Sequence, residues 1–485
     1  MSGLCGWIGT VPGSGADLGA MAEALLHRPG AVTALRCGLG EVAVAGTQDH
    51  AAVRYEDGVL VACRGGDPAV IARLWRSKGS ALCADLDGSF AFALFDERGG
   101  EVLLAVDRLA SRPLVYQNAG GGLLFASSAD ALLRHPLAAR GMSAQALYEY
   151  LYFGFVPAGR ALYHQQQRLG PGEYLYYRAG VAERRRAHPA SAPFVTLGET
   201  ATSVAPVDVA ALVQRAARLL DQPCGRPVLA LFDAQARHAA ASGAAETSFA
   251  LPLDADLAES QLAYRRYERL PAPLRQLAIE PLLFQVLRRL RTPGLNRLRE
   301  RIARSVQSLP ARIDADCLLS RYGGVEQVLD PELRVQVDVH APLRLMQDAY
   351  WSSYGRPAHE RLAMLELRFG VCGGALPALM TVCDAAGIDP LLPGLDGPAL
   401  QAVRGPQPSA AAWMDGDARL RELAFDSMID LKRRHLVHGG LLDRLLAGNP
   451  AEHADIIWPL MMLEQWLAAR CNVRVRQREL EYSGG

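Results

Sequence analysis

Nine cysteines and eleven histidines are scattered along the 485-residue chain, and their spacing decides what chemistry they can share. No Cys-x-x-Cys pair and no Cys/His group at zinc spacing occurs. An odd, dispersed set of thiols reads as reduced cysteine in a cytoplasmic protein. His435 and His438 adjoin Lys432, Arg433 and Arg434, which reads as a basic helix end rather than a metal site. Asp254, Asp256 and Glu259 could pair as carboxylates, but nothing in the pattern places them in a pocket, so they read as surface charge. Gly120-Gly121-Gly122 reads as a hairpin turn, and Gly373-Gly374 lacks the Lys and Ser or Thr that complete a phosphate loop. Neither Gly-x-Ser-x-Gly nor His-Glu-x-x-His is present. These patterns lead to an expectation of no metal and no resident cofactor.

Half of the residues are hydrophobic and 21% are charged, which is a globular composition. Lys+Arg and Asp+Glu balance at 51 each, so no global field draws nucleic acid or an anionic membrane. Apolar stretches are interrupted by Arg, Asp, Gly or Pro, and no membrane span or secretory signal is expected. The length calls for two domains. Residues 1–180 read as β-rich, with short apolar runs at 41–46, 59–63, 89–95, 101–106, 113–117 and 122–126. Helical spacing occurs at 67–78 and at 143–152, where Ser143 is a candidate cap. A linker rich in Ala, Arg and Pro is expected over 181–206, and a helix-dominated second domain over 207–475. Within it the pattern predicts a helix at 209–220, a short buried strand at 227–232, helices at 279–291 and 297–309, and an amphipathic helix at 456–470. The arginines between 288 and 304 read as a solvated helix face, since no aromatics interleave with them.

Several ordered segments together resemble the asparagine synthetase (glutamine-hydrolysing) family and, more broadly, class II glutamine amidotransferases. Met1-Ser2-Gly3-Leu4-Cys5-Gly6-Trp7-Ile8-Gly9 is similar to their Met-Cys-Gly-Ile-x-Gly start. Leu86-Asp87-Gly88-Ser89-Phe90-Ala91-Phe92-Ala93-Leu94-Phe95-Asp96 looks like their L-x-G-x-F-A-F-A-L-x-D strand. Asp107-Arg108-Leu109-Ala110-Ser111-Arg112-Pro113-Leu114 resembles the D-R-x-G-x-K-P-L turn, and Leu169-Gly170-Pro171-Gly172 the L-P-P-G segment. Fainter likeness appears at 227–241, at Leu391-Leu392-Pro393-Gly394-Leu395-Asp396, and at Ile457-Trp458-Pro459-Leu460 through Trp466. The resemblance implies an αββα N-terminal-nucleophile hydrolase sandwich. It implies a second α/β domain of adenine nucleotide α-hydrolase type, now helix-dominated.

The resemblance also says where chemistry should lie. In the family an N-terminal cysteine attacks the glutamine amide with its own amine as base. Cys5 matches that residue, but it needs chain cleavage ahead of it. The family's Asn-Gly-Glu, which supplies oxyanion donors and holds the substrate, corresponds to Arg64-Gly65-Gly66; Arg64 stands for the Asn and Gly66 for the Glu. Asp85 lies near the family's amino-group-binding Asp. The R-G-P-D loop reads His27-Arg28-Pro29-Gly30, and the carboxylate-clamping R-L-S-I strand reads Val42-Ala43-Val44-Ala45. The S-G-G-x-D-S pyrophosphate loop corresponds to Leu231-Phe232-Asp233-Ala234-Gln235-Ala236-Arg237-His238, without either glycine. A second family loop is missing ahead of Ala263-Tyr264-Arg265-Arg266-Tyr267. The expectation is a pseudoenzyme that acts through a paralogous amidotransferase or another biosynthetic enzyme, or as a homodimer. The alternative is a glutamine-hydrolysing amide-forming enzyme using Cys5 after processing, for which glutamine, ATP and Mg2+ would be ligands.

Overall fold

The computed structural model describes residues 3–26, 30–46, 51–187, 194–199, 208–249, 251–252, 308–315, 317–353, 355–356, 358–392, 399–404 and 409–470. The carboxylates 254–259, the segments 263–267, 279–291 and 297–307, and His27–Pro29 lie outside the described residues.

The first half is built from strands that alternate small and large apolar residues, a period that buries both faces of a sheet between other layers. In chain order these are β1 (Gly3–Gly9), β2 (Ala31–Cys37), β3 (Gly40–Gly46), β4 (Ala51–Glu56), β5 (Val59–Arg64), β6 (Ala91–Asp96), β7 (Glu101–Val106), β8 (Val115–Ala119), β9 (Gly122–Ala126), β10 (Gln167–Arg168), β11 (Glu173–Arg178) and β12 (Val181–Arg186). They form two six-stranded antiparallel sheets, in the orders β10-β8-β9-β1-β3-β2 and β12-β11-β7-β6-β5-β4. Leu4, Ile8, Val42, Val44 and Phe125 of the first sheet meet Leu60, Phe95 and Leu104 of the second in one dry core. Each such buried side chain contributes roughly 1.5–3 kcal/mol.

Helices cover both outer faces. Helix α1 (Gly15–Glu23) starts on a Ser14–Asp17 capping box and lies against the first sheet, where Leu18 and Met21 pack with Cys5 and Trp7. Helix α2 (Pro68–Lys78) starts on Asp67, whose carboxylate accepts from the Ala69 amide at 2.8 Å, and packs Ile71 and Trp75 on the second sheet. Two further helices follow, α3 (Ala129–Leu132) and α4 (Ala144–Phe153), the latter capped by Ser143 as expected. The expected αββα sandwich is therefore present. Strand β12 extends the second sheet to Arg186, past the expected end of the domain at 180, and Phe194–Glu199 is a further strand inside the expected linker.

The second half is mostly helical: α5 (Val209–Leu219), α6 (Val228–Ala241), four short turns between Leu309 and Arg334, α7 (Ala341–Trp351), α8 (Ala358–Leu365), α9 (Leu376–Ala386), α10 (Ala410–Gly416), α11 (Ala418–Arg434), α12 (Gly439–Ala447) and α13 (Ala454–Ala469). Among the described residues its strands form one three-stranded and one two-stranded parallel arrangement. The strand expected at 227–232 is instead the start of α6. Pro227 already holds helical dihedrals, and the Ala-rich run behind it favours helix over strand. Helix α13 is not amphipathic, since it is buried nearly all round, from Ile456 to Leu467.

The stretch Glu360–Ala386 is long and apolar enough to cross a membrane, contrary to expectation, but 72% of its most apolar window is buried inside the fold. It runs through a π-type segment, Glu366–Ala375, that lies on Phe155 of the sandwich. A Cβ at Gly373 or Gly374 would come within 2.8 or 2.9 Å of that ring, so glycine is what permits the approach. Polar contacts tie the same seam. Tyr150 donates to the Pro459 carbonyl at 2.8 Å and Tyr148 to the Val339 carbonyl at 2.9 Å. The Asp221 carboxylate accepts from Ser128 Oγ and the Ala129 and Asp130 amides at the start of α3. One apolar cluster runs from Cys5 to Leu467, so the two halves share a core.

Candidate functional site

Cys5 sits in the middle of β1, paired with Ala43 on β3 and Ala126 on β9. Successive side chains of a strand point to opposite faces. Leu4 and Ile8 therefore enter the core between the sheets, while Cys5 and Trp7 face the layer of α1. The thiol is fully buried, and burial pushes it up to about 12. Its nitrogen is a strand-interior peptide nitrogen, and the preceding Leu4 is bound on both sides: its amide donates to Ser127 Oγ at 3.1 Å and its carbonyl accepts from the Ser127 amide at 2.8 Å.

Arg64 ends β5. Cys63 before it faces the α2 layer, so Arg64 points to the inner side of the second sheet. Its side chain is 5% exposed, and its Nη2 forms an ion pair with Asp384 of α9. Burial and the neighbouring Arg112 cation push the Arg64 guanidinium well below its usual value. Behind Arg64 the chain turns at Gly65, with φ +70°, where a Cβ would lie 2.1 Å from the Ser89 carbonyl oxygen. Gly65→Ala is therefore expected to cost about 3 kcal/mol, from a left-handed backbone and a backbone clash together. Urea unfolding monitored by circular dichroism reads this, and a loss below about 1 kcal/mol would contradict it. Asp85 is exposed and bonds to Lys78 Nζ at 2.9 Å on the surface. No hydrogen bond or ion pair joins any two of Cys5, Arg64 and Asp85, which occupy three different layers.

The rest of the network was not visible beforehand. Asp107, within the Asp107–Leu114 motif, is fully buried. It accepts from Ser111 Oγ at 2.6 Å and from the amides of Leu109 at 2.9 Å, Ser111 at 3.1 Å and Phe90 at 3.3 Å. Burial raises its carboxyl, and these donors pull it back. It acts as a brace for the turn that carries Arg112. The Asp384 partnership carries no local signal, because 320 residues separate it from Arg64. Asp233 lies inside α6 and pairs with Arg215 of α5. Among the described residues no three of His, Cys, Asp or Glu converge as a metal would require. His435 ends α11 and His438 caps α12.

Residues 56–187 match the glutamine amidotransferase domain family. The matched residues lie within the two-sheet sandwich, from the end of β4 to β12. Over part of its length the chain is similar to glutamine-hydrolysing asparagine synthetases. It is 29% identical over 126 residues to the glutamine-hydrolysing asparagine synthetase 2 of Bacillus subtilis (strain 168), covering 25% of this chain and 17% of that protein. It is 44% identical over 55 residues to asparagine synthetase 3 of the same organism, covering 11% and 9%. The chain thus spans less than a fifth of the length of these two relatives. The glutamine phosphoribosylpyrophosphate amidotransferase structure from B. subtilis matches at a TM-score of 0.29 and 13% identity, covering 45% of this chain and 57% of that one, too low a likeness to bear on the fold.

Proposed function

We propose that this chain is a non-catalytic, cytoplasmic asparagine synthetase-like protein that acts by binding a partner, an active paralogous amidotransferase or another biosynthetic enzyme. The observation that carries this reading is Arg64. At the position where the family has an amide donor stands a buried guanidinium already committed to Asp384. A donor so engaged is not free for a developing oxyanion, a contribution of about 10²–10³ in rate where it operates. The buried, neutral Cys5 thiol supports the same reading, since the thiolate is the nucleophile. The helical, ion-paired Asp233 supports the absence of productive ATP binding, because backbone N–H groups inside a helix are not open to a phosphate.

The purified chain incubated with glutamine is expected to release no glutamate above the level of its Cys5→Ala variant, and no AMP when ATP, Mg2+ and glutamine are supplied together. Affinity capture at native abundance is expected to recover an amidotransferase or another biosynthetic enzyme. Glutamate release that disappears in Cys5→Ala, with an intact mass starting at Cys5, would overturn the proposal in favour of a processed glutaminase.

A further inference from the structure

The edge of a sheet presents a row of unpaired backbone N–H and C=O groups, and folded proteins normally blunt it with charge, proline or shortness. The sandwich has four such edges: β10 and β2 end the first sheet, β12 and β4 the second. Three of them are guarded. Strand β10 has only two residues. Strand β12 carries Glu183, Arg184, Arg185 and Arg186. Strand β4 carries Arg54 and Glu56, which pair with each other at 3.2 Å. Strand β2 differs. Its seven residues ladder without a bulge onto β3, from Ala31 opposite Gly46 to Cys37 opposite Gly40. It has no proline, and its one charge, Arg36, lies near its end and pairs with Glu41 at 3.2 Å. Ala31, Val32, Thr33 and Ala34 are all exposed, Val32 at 41%. Among the described residues no strand pairs with its outer edge.

The residues of β2 suit a second copy of the same strand. Half a turn about an axis normal to the sheet brings two such edges together antiparallel. Leu35 and Cys37 pack toward the core between the sheets, so Ala31 and Thr33 share that side, while Val32, Ala34 and Arg36 take the other. With the axis at Thr33, Thr33 faces Thr33 of the second copy, Val32 faces Ala34, and Ala31 faces Leu35. Every opposed pair is then apolar or Thr–Thr, and such pairs stabilise a ladder. Arg36 falls opposite Gly30, just before the strand, so like charges do not meet. The neighbouring edge in the second sheet, β4, carries one cation and one anion and adds no net repulsion to the approach. A strand of seven residues is roughly 23 Å long, so this contact lies at the small end of interfaces and gives reversible association.

We propose that the β2 edges of two copies of this chain pair antiparallel about Thr33 and join their first sheets into one continuous sheet. The association goes beyond the proposed function and needs neither glutamine nor ATP, so either can fail without the other. Sedimentation velocity of the full native chain is expected to show a monomer–dimer equilibrium at about 10–100 µM. Thr33→Lys and Thr33→Glu each set like charges directly opposite one another, and each is expected to weaken the dimer by about tenfold or more. Mixed in equal amounts, the two variants set a lysine opposite a glutamate and are expected to recover the native association. Thr33 is exposed, so both variants should keep the native circular dichroism. If either does not fold, hydrogen exchange on the native chain decides: amide protection over Ala31–Cys37 is expected to rise with chain concentration. A native chain that stays monomeric at about 100 µM leaves this edge to a strand of another protein and overturns the proposal. Variants that dimerise as the native chain does, no recovery on mixing, or β2 protection independent of concentration would overturn it as well.

Discussion

Asp384→Ala is expected to destabilise the folded chain by about 3–5 kcal/mol, the usual cost of removing one partner from a buried ion pair. The two side chains are 5% and 12% exposed, so little solvent is available to screen the charge left behind. The loss is aggravated by the surroundings. Among the described residues Arg64 Nε has no partner, and Arg112, the neighbouring cation, also has Nε and Nη1 unpaired. Without Asp384, two guanidinium groups would face each other in a poorly solvated seam. Asp384→Asn keeps an acceptor but not the charge, and should fall between the native chain and the Ala variant. The double variant Arg64→Met, Asp384→Leu replaces the pair by apolar groups and should recover most of the loss, because the desolvation cost disappears with the interaction. Urea denaturation followed by circular dichroism measures all three. If Asp384→Ala loses less than about 1 kcal/mol, the pair is solvated in solution and does not close the end of the sandwich.

The sandwich could be read from the sequence because its information is local. Strands at 101–106 and 122–126 have the bounds their alternation implies, and Ser143 caps the helix its position suggests. The stretch at 227–232 misled for a physical reason. A short apolar run has no period that separates a strand from the first turns of a buried helix. Helix α13 misled similarly, because a stripe of Trp458, Leu460, Met461, Leu463 and Trp466 marks one buried face and says nothing of what covers the other. In the site, the replacement of an amide by Arg64 was visible; its partner was not. Ion pairs across 320 residues depend on where two domains meet, and no spacing rule reports that.

Trp466→Ala tests whether that meeting of domains is part of one cooperative fold. Trp466 is fully buried on α13, and its Nε1 donates to the Leu220 carbonyl at 2.9 Å. Its ring lies 6.1 Å from Tyr163 of the sandwich half and carries the Arg470 guanidinium at 4.1 Å. Arg470 in turn reaches Asp130 on α3, so one aromatic ring orders both the packing and the ion pair across the seam. Truncation is expected to cost about 4–5 kcal/mol, from lost burial and a cavity that rigid sheets cannot close. Trp466→Phe keeps most of the ring and loses the indole hydrogen bond, and should cost only about 1–2 kcal/mol. The Leu220 carbonyl keeps a second donor, Arg470 Nη2, which limits that smaller loss. The shared core predicts that the native chain unfolds in urea in one transition, whereas Trp466→Ala separates into an early loss of the helical half and a later loss of the sandwich. Limited proteolysis of the variant should then release a stable fragment ending near the last strand of the second sheet, Arg186. A single unfolding transition in Trp466→Ala, with a loss under about 2 kcal/mol, would mean that the two halves are held by the wider seam around Phe155 and Tyr150 rather than by this ring.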